Sequence, residues 1–168
     1  MIGFLRFLGV ANAAVWFGTA IFFTLAVGPA FFSQKMLGLL GRPHAGAAAQ
    51  IVLERYFAMH QVCGVIALLH LVAEWLYMGK PLQRLTLWLL LGIFTLGLMG
   101  GYSVQPKLQG LHRTIYGPGA TSEQRERAKR SFSTYHGISQ VLNFMVTAGV
   151  ALYLWRVTTP SNGYRYRT

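Results

Sequence analysis

Four long apolar stretches are the feature of this sequence that most restricts its fold. They cover about residues 5–32, 55–78, 85–103 and 131–157. An α-helix needs about 20 residues to cross a hydrocarbon core about 30 Å thick, and each stretch is near or above that length. Only 11% of the residues are charged, against about 25% in a soluble domain. We therefore predict one all-α domain over residues 1–168, an integral membrane antiparallel four-helix bundle.

The net charge of the chain is strongly positive, at +11. Its basic residues lie at the ends of the apolar stretches, so we expect them to contact anionic lipid headgroups and not nucleic acid. A loop is predicted over 33–54, with an Ala-rich helical part from Gly46 to Glu54 that leads into the second stretch. A basic helical loop covers 107–130, where Thr121 with Gln124 fits a capping box at the start of a charged helix that runs into the fourth stretch. These two loops carry more Lys and Arg than the side of the termini. The positive-inside rule then predicts cytoplasmic loops and outside termini, in the inner membrane if the cell is bacterial. The cations on the terminal side are Arg6, Lys80, Arg84, Arg156, Arg165 and Arg167.

The last apolar stretch carries a polar stripe. His136, Gln140, Asn143 and Thr147 follow one another at helical spacing and share one face of the predicted helix. Because polar groups facing lipid are costly, we predict that this face points into the bundle, where its members bond to one another or to a partner.

A second polar pair lies in the second apolar stretch. His70 and Glu74 are four residues apart, a spacing at which an imidazole and a carboxylate can pair on a helix. Such a pair is either a structural contact or part of a proton or cation path.

Small residues predict where helices pack closely. Gly97 and Gly101 form a GxxxG motif in the third stretch. Ala14 and Gly18 belong to a strip of small residues in the first. Both patterns are typical of contacts between membrane helices.

Two histidines suggest a haem site as an alternative to a purely structural role. His60 follows Arg55 and His136 follows Arg130 by similar distances, so both histidines are predicted at one depth. Imidazoles on two helices could bind a b-type haem axially, with Arg55 and Arg113 near the propionates. The other interpretation is that His136 bonds within the polar stripe and His60 lies near the membrane interface.

Met59, His60 and Cys63 are a possible site for a soft metal such as Cu(I), although Met and Cys in an apolar helix more often pack in the core. Cys63 is the only cysteine, so a disulfide within the chain is excluded. The chain has four glutamates and no aspartate. General acid–base chemistry therefore has few groups to use, and we predict that the protein is not an enzyme.

Several motifs resemble those of a known membrane family. Tyr135-His136-Gly137-Ile138-Ser139 with Asn143, and Tyr56-Phe57 before Cys63-Gly64, are similar to elements of the four-helix family that includes the eukaryotic cisplatin-resistance-associated transmembrane protein. This resemblance implies a four-helix membrane fold and no established activity. A distant likeness to the membrane domain of copper-resistance proteins concerns the architecture alone.

Three functions are consistent with these features. The first is a non-catalytic accessory or interaction subunit, bound to other membrane subunits or to further copies of itself. The second is a b-type haem electron carrier that uses His60 and His136. The third is a small transporter or a protein of metal handling or resistance, which the resemblance suggests.

Overall fold

A computed structural model describes residues 2–78 and 82–159, and every regular element in these ranges is helical. Lys80, Arg165 and Arg167, which entered the charge comparison, lie outside the described residues. The all-α prediction is confirmed. The helices are α1 (Ile2–Phe22), α2 (Gly28–Phe31), α3 (Gln34–Met78), α4 (Arg84–Met99), α5 (Gln105–Tyr116) and α6 (Ser122–Thr158), with π-helical turns at Phe23–Val27 and Gly100–Val104.

Four helical segments are long and apolar enough to cross a membrane. They are Gly3–Phe31, Gln34–Tyr77, Arg84–Tyr116 and Ser122–Thr158. The chain is therefore an integral, multi-pass membrane protein, as predicted.

The four spans form a ring in chain order. Helix α1 packs against α3 and α6, and α4 packs against the same two helices from the opposite side. Buried residues such as Trp16, Leu90, Val150 and Tyr153 fill the centre. The outer surface is also apolar, with Phe144 75% exposed. A soluble domain rarely exposes so much apolar surface, whereas lipid chains solvate it.

The second span differs most from its prediction. Within the loop predicted over 33–54, the helical part from Gly46 to Glu54 is confirmed, but the helix begins earlier: α3 starts at Gln34, 21 residues before Arg55. One interruption occurs at Gly41, with φ 69° and ψ 161°. Pro43 follows in the first turn of the resumed helix, where proline is well tolerated.

The fourth span is one continuous helix that includes the basic segment. Thr121 caps its start: the Thr121 hydroxyl accepts from the Gln124 amide at 3.2 Å, and the Gln124 side chain accepts from the Thr121 amide at 2.9 Å. This reciprocal capping box confirms the sequence signal at these two residues. Helix α5 packs along this basic end of α6 and also touches α3.

Candidate functional site

A buried Trp16–His60 pair lies at the centre of the candidate site. The two side chains are 1% and 2% exposed. The Trp16 indole donates to His60 Nδ1 at 2.7 Å, and the rings meet edge to face at 4.9 Å. Because an indole N–H is only a donor, Nδ1 must accept, and a neutral imidazole then carries its proton on Nε2. His60 Nε2 faces the Ile93 carbonyl oxygen at 3.5 Å.

Gly97 in α4 makes room for His60, and Gly101 in the π-helical turn that follows makes room for Phe57. A Cβ on Gly97 would lie 2.3 Å from His60 Cδ2 and 2.4 Å from His60 Nε2. A Cβ on Gly101 would lie 3.3 Å from two carbon atoms of Phe57. The GxxxG residues therefore form a slot that receives side chains of α3.

Asn143 connects three spans. Its side-chain oxygen accepts from the Tyr56 hydroxyl at 2.8 Å, and its amide nitrogen donates to the Thr24 hydroxyl at 2.7 Å. Tyr56 is buried and stacks on Phe23, with ring centroids 4.4 Å apart. These bonds fix the first, second and fourth spans in register at one level.

The other members of the polar stripe do not follow Asn143 inward. Thr147 donates to the Asn143 carbonyl oxygen in its own helix, at 2.8 Å. His136 is exposed and stacks on Phe132. Gln140 is exposed and has no hydrogen bond within the described ranges. The buried face of α6 runs through Val146, Val150 and Tyr153, so the stripe lies along its flank.

A small cavity lies beside His60. Its free volume is about 20 Å³, enough for about one water molecule. Ligand pockets are far larger, about 300–1,000 Å³. The cavity lining is Tyr56, Phe57, His60, Leu96, Gly97, Gly100, Ser139, Leu142, Asn143 and Val146.

His60 and His136 do not share a depth. Tyr56 and Asn143 mark one level. His60 lies four residues beyond Tyr56, while His136 lies seven residues before Asn143, toward the basic end. Since α3 and α6 run in the same direction, the two histidines are about 16 Å apart along the bundle axis.

The predicted haem ligands are therefore not brought together. Two axial ligands must reach one iron atom, and His60 Nδ1 is already bonded to Trp16. Arg55 and Arg113, the expected propionate partners, are exposed. The prediction that the two histidines share a depth was wrong. Arg130 lies in the basic part of α6, and it therefore does not mark the level of Arg55.

The residues of the predicted metal site are divided between the surface and the interior of the bundle. Met59 is 38% exposed on the outer surface. His60 and Cys63 are buried, and the Asn12 amide donates to the Cys63 carbonyl oxygen at 2.9 Å. Within residues 2–78 and 82–159, no three His, Cys, Asp or Glu side chains are grouped as metal ligands would be.

The second polar pair, His70 and Glu74, lies in the half of the bundle that contains the start of α1 and the end of α6. His70 Nε2 donates to the Leu5 carbonyl oxygen at 2.8 Å. A Cβ on Gly9 would lie 2.5 Å from the same ring. Glu74 is partly buried one turn further along α3. His70 thus connects α3 to the backbone of α1.

The small-residue strip of α1 lies elsewhere than predicted. Ala14 and Gly18 are exposed, and a Cβ on Gly18 would touch nothing within 4 Å. The buried small residues are Gly9, Ala13 and Ala20. They share a face of α1 with Trp16. The prediction from small residues alone did not include this large side chain and therefore chose the wrong face.

Trp16 and Tyr56 are the site residues that sequence reasoning missed. Tryptophan is enriched at membrane interfaces, whereas Trp16 lies far inside the first stretch. This unusual position is the sequence signal that points to a specific interior partner. Tyr56 was noted only as part of the Tyr56-Phe57 motif. Its place beside Arg55, where an interfacial tyrosine is common, gave no indication of a buried partner.

Comparison with known proteins finds a family but no close relative. No curated protein and no solved structure is significantly similar to this chain. A family profile described as "Domain of unknown function (DUF4149)" matches residues 12–117. The match contains Trp16, His60 and Gly97, and it ends before Asn143. The family match does not connect the chain with the cisplatin-resistance or copper-resistance proteins. Because it covers 106 of the 168 residues, the chain belongs to the DUF4149 family, whose function is unknown.

Proposed function

We propose that the protein is a non-catalytic accessory or interaction subunit of a membrane complex. The observation that carries the proposal is the exposed amide of Gln140 on the fourth span. Gln140 lies 15 residues before Trp155, or about 22 Å along the helix axis. That distance is shorter than a hydrocarbon core of about 30 Å, so a lipid-facing amide at this depth lacks hydrogen-bond partners.

A neighbouring helix can satisfy such an amide. Membrane helices associate through close packing and through hydrogen bonds of Asn, Gln, Ser and Thr. Val141 and Phe144 beside Gln140 are exposed and provide apolar contact area. We infer that this face of α6 binds a helix of another membrane subunit or of a second copy.

The interior supports a structural role and not a catalytic one. His60 and Asn143 use their hydrogen bonds between spans of the same chain. The cavity beside them has room for about one water molecule.

Purification under mild detergent tests this proposal with a matched pair of variants. We expect the unaltered protein to bring down a stoichiometric partner or to form a defined oligomer. Gln140→Leu should lose that association, because it removes the amide and keeps the apolar surface. Val141→Leu changes the adjacent exposed position without removing a polar group and should retain it.

Quantitative mass spectrometry and light scattering of the purified samples measure the two outcomes. A protein that is monomeric and alone in every detergent, or equal association of the two variants, would contradict the proposal. The thermal unfolding temperature of Gln140→Leu should match that of the unaltered protein, which separates lost association from a lost fold.

The orientation and the lipid contacts are also proposals. We infer that the basic ends of α3, α5 and α6 face the cytoplasm and contact anionic headgroups. Exposed Arg113, Arg125 and Lys129 support this side of the bundle as the more basic one.

A further inference from the structure

The connection between the first two spans contains a short separate helix. The first span ends at Phe31, and Phe32 leaves helical geometry with φ −107° and ψ 10°. The Ser33 hydroxyl then accepts from the Met36 amide at 3.3 Å, which caps a new helical turn. The interruption at Gly41 ends this segment, so Gln34–Leu40 turns independently of the rest of α3.

This short helix exposes large apolar side chains. Leu39 is 81% exposed, more than any other large apolar side chain of the described residues, and Phe32 just before the helix is 54% exposed. No other side chain in residues 2–78 and 82–159 covers Leu39. Lys35 and Arg42 are exposed at the two ends.

The position of the helix relative to the bilayer follows from the chain on both sides. Phe23 stacks on Tyr56, so these residues mark one level. Gln34 lies 11 residues beyond Phe23, and Gly41 lies 15 residues before Tyr56. At about 1.5 Å per residue the two ends differ in height by about 6 Å, so the helix runs at a shallow angle to the membrane plane. Tyr56 also bonds to Asn143, which lies 12 residues, or about 18 Å, before Trp155. With Trp155 at one edge of a hydrocarbon core about 30 Å thick, the opposite edge lies about 12 Å beyond this level, and the helix begins about 4 Å outside that edge, among the headgroups.

We propose that residues 32–42 form an interfacial anchor for anionic lipid. Phe32 and Leu39 enter the boundary between headgroups and acyl chains. The ammonium of Lys35 and the guanidinium of Arg42 bind the phosphates of anionic headgroups. Amphipathic helices in the interface combine apolar burial with attraction of this kind, and Lys and Arg reach the headgroups with extended side chains.

Nitroxide accessibility in lipid nanodiscs tests the anchor. Cys63 is the only cysteine, so Cys63→Ser provides a background without a competing thiol. A label is placed at Leu39→Cys and, as a matched control, at Gln34→Cys, which lies about 140° around the same helix. Both native side chains are exposed, so the label disturbs no core at either position.

The expected result is a difference between the two positions in purified protein without any partner. The label at Leu39 should collide more with oxygen, which concentrates in lipid, and less with a water-soluble nickel chelate. The label at Gln34 should show the opposite preference. Equal accessibility to the nickel chelate at both positions would overturn the proposal, and so would protection of Leu39 that appears only when a protein partner is added.

The lipid headgroup is tested with two nanodisc compositions. In phosphatidylcholine with phosphatidylglycerol, the label at Leu39 should be more strongly protected from the nickel chelate than in phosphatidylcholine alone. Lys35→Gln with Arg42→Gln should remove that difference. A label that responds equally in both lipids before any substitution would show that the anionic headgroup does not contribute, contrary to the proposal.

Discussion

At the scale of single residues, the absence of a side chain at Gly97 is what allows a histidine inside the bundle. A Cβ at this position would lie 2.3 Å from the His60 ring. The ring cannot move freely, because Trp16 holds its Nδ1. We expect Gly97→Ala to lower the free energy of unfolding by about 1–3 kcal/mol, the usual cost of overpacking a core.

The control for Gly97→Ala lies on the same helix. Gly92 is exposed, and a Cβ there would meet nothing within 4 Å. Gly92→Ala should be neutral or slightly stabilising, since alanine favours helix. Thermal unfolding of both variants in the same detergent measures the difference, and equal melting temperatures would contradict the packing of His60 on Gly97.

Asn143 provides a second prediction at this scale. Asn143→Leu leaves the Tyr56 hydroxyl without its acceptor and removes the bond to Thr24. An unsatisfied buried polar group costs about 1–3 kcal/mol, so this variant should melt at a lower temperature than Gln140→Leu. The two substitutions should therefore have different effects. Asn143→Leu should lower stability, whereas Gln140→Leu should abolish association. The assignment of both would be wrong if Gln140→Leu were the less stable variant.

These residues also show how far sequence reasoning reaches. His60 and Asn143 were identified as polar groups within apolar stretches, which are rare enough to notice. Their partners were not, because the stripe was extrapolated along one helix. Asn143 and Tyr56 are 87 residues apart in the sequence and lie on different helices. Their contact depends on the register between those helices, and helical periodicity contains no information about that register.

At the scale of elements, the sequence predicted the helices better than their ends. The continuous α6 and its capping box were identified correctly. The first part of the segment over 33–54, before Gly46, was predicted as irregular because Gly38, Gly41 and Pro43 are all potential breakers. In the structure Gly38 stays helical, and Pro43 occupies a first turn where it breaks no hydrogen bond. Only Gly41 has a backbone conformation that departs from the helix.

This difference predicts unequal effects at two neighbouring glycines. Gly41 has φ 69° and ψ 161°, a region of backbone conformation that is essentially restricted to glycine. Gly41→Ala should lower the free energy of unfolding by about 1–3 kcal/mol or straighten the helix. Gly38→Ala has open space around its Cβ and ordinary φ, so it should not.

Two measurements separate these outcomes. Thermal unfolding reports the loss of stability, and the distance between spin labels on α1 and at the start of α3 reports straightening. If Gly41→Ala changes neither quantity relative to Gly38→Ala, the kink at Gly41 does not exist in the folded protein.

At the scale of the whole molecule, apolar stretches settle the number of spans but not their relative depth. The second and fourth spans were aligned by the arginines at the start of their apolar stretches, Arg55 and Arg130. Both helices extend beyond that point on the basic side, and by different lengths. Hydropathy measures how much helix lipid can surround, and it does not measure how far neighbouring helices slide past one another.

The orientation of the bundle is a prediction of this same scale. The start of α1 and the end of α6 lie on one side of the four spans, and the basic helical ends lie on the other. Because cationic segments near short loops are retained in the cytoplasm, we expect the start of α6 inside and the end of α6 outside.

In a Cys63→Ser background, Thr158→Cys should react with a membrane-impermeant maleimide on intact cells. Glu126→Cys should react only after permeabilisation. Both positions are exposed, so burial does not limit either reaction. The reverse pattern would place the basic ends outside, and the cytoplasmic headgroups could then not be the ligands of Lys35 and Arg42.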